Sequence, residues 1–107
     1  MEFKEIRKGL EGVLFDTLRI DKDNCFEAVI VNNELAKLTA SLGKVFGPPV
    51  CLSKHKLSPR AQEAVKDSGG VRAGQTLYFW NEGKDTIFAM LWPWQDDYHI
   101  TLKIVRK

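Results

Sequence analysis

Cysteine is scarce: Cys25 and Cys51 stand far apart, with no CxxC pair and no clustered histidine beside them. That spacing argues against a disulfide framework and against a structural zinc site. Histidine is scarcer still in function, since His55 and His99 are isolated and supply no metal-ligand set. No apolar run approaches the roughly 20 residues that span a bilayer. The opening MEFKEIRKGLEG alternates charge with single apolar residues and lacks the apolar region of a secretory signal. The expectation is a cytoplasmic protein with no membrane contact and no cofactor.

An excess of one charge is also missing. Sixteen basic and fourteen acidic residues are mixed along the chain, for a net charge of +2. A duplex binder making about 6–10 phosphate contacts gathers its cations on one element or stripe. Here the densest groups are Lys54-His55-Lys56 and Arg106-Lys107. With Arg72 they would form at most a weak nucleic-acid-binding patch, so nucleic acid is not the expected partner.

Several motif-like stretches lack the residues that would make them sites. Gly69-Gly70-Val71-Arg72-Ala73-Gly74 has no Lys-Ser/Thr ending and follows a helical pattern, the reverse of a phosphate cradle. Asp21-Lys22-Asp23-Asn24 opens like a calcium loop, but Phe26 and Asn32 stand where glycine and glutamate are needed. Cys51, between Val50 and Leu52, reads as a small core residue. Asp96 and Asp97 are adjacent on a turn and diverge into solvent rather than forming a catalytic pair.

What is present suits one α+β domain over residues 1–107, at 44% hydrophobic composition. Two β-rich runs, VLFDTLRI and CFEAVIV, flank a turn cluster and predict an N-terminal hairpin. A long helix beginning after Asn24 is the rival, since Asn24 with Glu27 resembles a capping box. Val29-Ile30-Val31 favours a strand, with Asn32 or Asn33 capping a new helix. That helix carries the stripe Leu35, Leu38, Leu42 and Val45 and stops at Gly47-Pro48-Pro49. Ser58 and Pro59 open a short second helix, RAQEAVKDS. QTLYFW, DTIFAMLW and YHITLKIV predict a three-stranded meander. The fold expected is an antiparallel sheet of about five strands with two helices on one face.

Three-residue loops at Asn81-Glu82-Gly83 and Gln95-Asp96-Asp97 would set the faces of the meander. Even-numbered residues then share one side, from Tyr78 and Trp80 through Phe88, Met90, Trp92 and Trp94 to Ile100, Leu102 and Ile104. This list predicts the helix-covered core and counts Trp92 and Trp94 as core and rim. The odd face, with Leu77, Phe79, Leu91, His99, Thr101 and Lys103, is the expected binding surface. The corresponding function is a small non-enzymatic binding or accessory protein, acting through self-association as a homodimer, a protein partner or a small-molecule ligand. Two other readings are a small enzyme with a His99-centred acid/base site in a sheet pocket, and nucleic-acid binding through Lys54–Lys56, Arg72, Arg106 and Lys107.

Overall fold

The computed structural model describes residues 2–47, Pro49, Glu63, Lys66, 75–82 and 85–106. Phe3, Ile6, Leu10 and Val13 recur at helical spacing and are all buried. They mark the inner side of α1 (Phe3–Gly9), which has Glu5 in its first turn and Arg7 and Lys8 in its last, charges placed to suit the helix dipole. The sequence pattern alone predicts no helix here. Seven residues give only two turns of periodicity, and the charges between them obscure the stripe.

The hairpin forms as expected, with β1 (Thr17–Asp21) and β2 (Cys25–Val31) paired antiparallel. A bulge between Leu18 and Ile20 puts Arg19 out of register and twists this edge strand. Chain direction then changes at Asn32–Glu34, a single 3-10 turn that leads into α2 (Leu35–Phe46). The strand-then-helix reading holds, but neither Asn32 nor Asn33 supplies a side-chain cap. Glu34 is buried instead: its carboxylate accepts the Leu14 N–H at 2.9 Å and pairs with Lys37 at 3.7 Å. The carboxylate thereby ties the α1–β1 connection to the start of α2. Leu38 and Leu42 are fully buried, with Leu35, Val45 and Phe46 packed beside them. At Gly47 the backbone takes φ 78°, a conformation that favours glycine, and α2 ends there.

β3 (Thr76–Glu82), β4 (Asp85–Pro93) and β5 (His99–Arg106) form the meander. The sheet order is β1-β2-β5-β4-β3, so β5 lies in the middle and joins the meander to the hairpin. All four pairings are antiparallel. This is the α+β architecture expected, and the described residues hold α1, α2 and the five-stranded sheet. The helix RAQEAVKDS falls outside the described residues apart from Glu63 and Lys66. Among the described residues, no helix is long and apolar enough to cross a membrane.

Both loop lengths differ from expectation. Glu82 pairs with Asp85, leaving two residues between them, and the Trp94 N–H donates to the His99 carbonyl across a four-residue turn. Each one-residue difference inverts the strand that follows. The two inversions cancel between β3 and β5, and β4 alone is turned over. The face that α1 and α2 cover therefore carries Phe26, Ala28 and Ile30, then Ile100, Leu102 and Ile104, then Ile87, Ala89 and Leu91, and finally Tyr78 and Trp80. Leu77, Phe88 and Met90 form a second buried cluster on the opposite face, with Phe79, Trp92 and Val105 packed against it.

Candidate functional site

Turning β4 over moves the tryptophans. Trp92 pairs with Thr101 in the β4–β5 ladder, so Trp92 and Trp94 share a face with His99, Thr101 and Lys103. The expected separation of His99 from the tryptophans is thus corrected. Leu91 is corrected the other way: it lies opposite Leu102 in the helix-covered core and is buried. Of the other expected binding residues, Leu77 and Thr101 are buried, while Phe79, His99 and Lys103 are half-buried on the second face. Lys54, His55, Lys56, Arg72 and Lys107 lie outside the described residues, as does Cys51. Arg106 is at the far end of β5, on an open cleft of about 920 Å³ lined by charges of both signs, Lys8, Asp21, Lys22 and Asp85 among them.

His99 sits at the centre of a built constellation at the β4–β5 turn. Asp96 Oδ1 accepts the backbone N–H groups of Tyr98 at 2.9 Å and of His99 at 3.0 Å. Its Oδ2 lies 2.6 Å from His99 Nδ1. A carboxylate only accepts, so Nδ1 carries the proton and donates, which leaves Nε2 facing outward from this pair. Nε2 is 3.7 Å from Asp16 Oδ2 at the approach to β1. The imidazole is therefore held between two carboxylates from different parts of the chain.

Aromatic rings complete the site. The Trp94 ring lies 4.7 Å from the His99 ring at a tilt of 33°, and Tyr98 meets His99 edge-on at 4.9 Å. Trp94 Nε1–H donates to Thr101 Oγ1 at 2.8 Å, which satisfies both polar atoms. The Arg19 guanidinium, put there by the β1 bulge, is 5.6 Å from the Trp94 ring centre and also pairs with Glu27. Despite these contacts, Trp94 remains 36% exposed and Tyr98 50% exposed. The turn is held by side-chain bonding: Asp96 makes an Asx-type turn, and Asp97 takes φ 57°, a left-handed conformation that aspartate tolerates better than most residues. The expectation that Asp96 and Asp97 both diverge into solvent is corrected for Asp96, whose carboxylate closes on the Tyr98 and His99 amides and the His99 ring.

The same hydrogen bonds make Asp96 sensitive to acid. The His99 backbone N–H, the His99 side chain and the Tyr98 N–H hold its carboxyl at about 2, down from an ordinary 3.8. A depressed folded-state value means that its stabilising effect is whole above about pH 4 and is lost as pH falls towards about 2. Thermal melts of the protein and Asp96→Asn between pH 2 and 5 should show a stability gap that closes as pH falls. A gap of constant size over that range would refute the assignment.

Chemically the constellation orients an imidazole, but the hydroxyl of Thr101 is engaged by Trp94 and Nε2 faces a second carboxylate. Among the described residues, no three His, Cys, Asp or Glu side chains group to hold a metal ion. Comparison of the chain with known protein families, with curated proteins and with solved structures finds no match.

Proposed function

We propose that this is a binding protein whose contact surface is the Trp94–Tyr98–His99 patch, and that it engages a protein partner. The observation that carries this reading is exposure combined with order. Two large aromatic side chains remain accessible to solvent although both rings pack against His99 and the Trp94 indole N–H is bonded to Thr101. Rigid aromatics lose little conformational freedom when covered, and tryptophan and tyrosine are enriched among the residues that dominate interface energies. Phe79 and Lys103 lie half-buried on the same face, beside the buried Leu77 and Thr101.

Quantitative capture from cell extract with the tagged protein and with Tyr98→Ala tests this. Truncating a central aromatic of an interface costs about 2 kcal/mol or more, roughly thirtyfold in affinity. A specific set of proteins retained by the unaltered chain should be lost from the variant at equal thermal stability. An identical captured set for both would defeat the proposal. Light scattering run in parallel shows whether the partner is a second copy of the chain.

A second reading has one observation in its favour, the 2.6 Å contact between Asp96 and His99 Nδ1. A carboxylate on Nδ1 fixes the tautomer that general-base histidines use. Against it, the large cleft lies at the opposite end of the sheet and does not include His99.

A further inference from the structure

The patch has a sign as well as a shape, and this determines what kind of partner fits it. Asp96 and Asp97 in the turn and Asp16 beside His99 bring three carboxylates to this end of the sheet, with the Arg19 guanidinium at Trp94 and Lys103 further along β5. Asp96 is consumed internally, with Oδ1 on two backbone N–H groups and Oδ2 on His99. Arg19 is consumed too, paired with Glu27. Asp97 is exposed and its carboxylate has no partner among the described residues. Asp16 is also exposed; its carboxylate accepts from the Thr17 hydroxyl at 3.2 Å and lies 3.7 Å from the outer nitrogen of His99. The aromatic component already attracts a cation, since a guanidinium of the chain itself lies over Trp94. Ring faces carry negative potential, and a nearby carboxylate reinforces the attraction for a positive group.

Resting on the partner-binding reading, we propose that the patch recognises an arginine- or lysine-bearing segment of a partner polypeptide. The incoming cation packs against Tyr98, beside the Trp94 ring that Arg19 already occupies, and pairs with the Asp97 and Asp16 carboxylates. An anionic segment would meet two unneutralised carboxylates. A purely apolar one would leave those carboxylates to be desolvated without compensation.

The test is an NMR titration with two ten-residue peptides, one alternating glycine and arginine, the other alternating glycine and glutamate. The Trp94 indole N–H and the Asp97 and Tyr98 amides are the reporters. The arginine peptide should shift these signals, and its affinity should fall as salt rises from about 20 to 200 mM, because exposed charge pairs are screened. Asp97→Asn and Tyr98→Ala should each weaken binding by about tenfold, whereas Tyr98→Phe keeps the ring and should keep the affinity. Shifts produced by the glutamate peptide instead, or arginine-peptide shifts confined to α1 and α2, or none at the patch with either peptide, would each overturn the proposal. If capture from extract still depends on Tyr98 while the arginine peptide leaves the patch unmoved, only the cationic specificity fails. If capture is indifferent to Tyr98, the binding surface itself is wrong.

Discussion

Phe26→Ala should lower the free energy of unfolding by about 3–5 kcal/mol, a large share of the 5–15 kcal/mol that holds a small domain folded. Phe26 is fully buried on β2, opposite Ile104 of the central strand. Phe15 meets its ring edge-on at 5.4 Å, and the Arg7 guanidinium lies 4.3 Å from its centre while bonding both oxygens of Asp21. Removing the ring leaves a cavity where α1, the α1–β1 connection and the sheet converge, and removes the surface against which Arg7 is positioned. Phe26→Leu retains most of the volume and should cost under about 1.5 kcal/mol. Urea unfolding with an unchanged slope measures both. A loss below about 1.5 kcal/mol for the alanine variant would mean that this end of the core is not packed as described.

Leu91→Asp should be at least as damaging, costing about 4 kcal/mol or more and leaving much of the chain unfolded at neutral pH. Leu91 lies on the helix-covered face between Thr76 and Leu102. The buried cluster to which it belongs is built of apolar side chains. A carboxylate placed there must be desolvated without a partner or take up a proton, so the deficit should grow with pH. Circular dichroism and urea unfolding at pH 5 and pH 8 provide the check. The outcome also tests the register of β4, because the three-residue-loop alternative would put Leu91 on the other face. A variant within about 1 kcal/mol of the unaltered protein would restore that alternative.

Much of this fold was legible in the chain. The turn cluster at Asp21–Asn24 and the β-branched run at Val29–Val31 identified the hairpin. The Leu35-Leu38-Leu42 stripe with its Gly47 stop identified α2, and three apolar runs separated by turn residues identified the meander. The candidate site was legible only in part. His99, Lys103 and Phe79 were assigned to the second face, and they lie there. Trp94, Tyr98, Asp96 and Asp16 were missed, because their meeting depends on one turn length and on a contact between residues 16 and 99.

The sequence by itself determined the five strands and α2, through local periodicity, β-branching and turn chemistry, whose energies act within a few residues. Only the tertiary structure decided which way β4 faces. That choice turns on a single residue in each of two loops, and a period-two pattern that is apolar on both sides fits either answer. DTIFAMLW is apolar at Ile87, Ala89 and Leu91 and equally at Phe88, Met90 and Trp92. Alternation gave no preference, and strand pairing with β3 and β5 settled it. With β4 turned over, Trp92 and Trp94 leave the helix-covered core and join His99, which is the physical origin of the exposed aromatic patch.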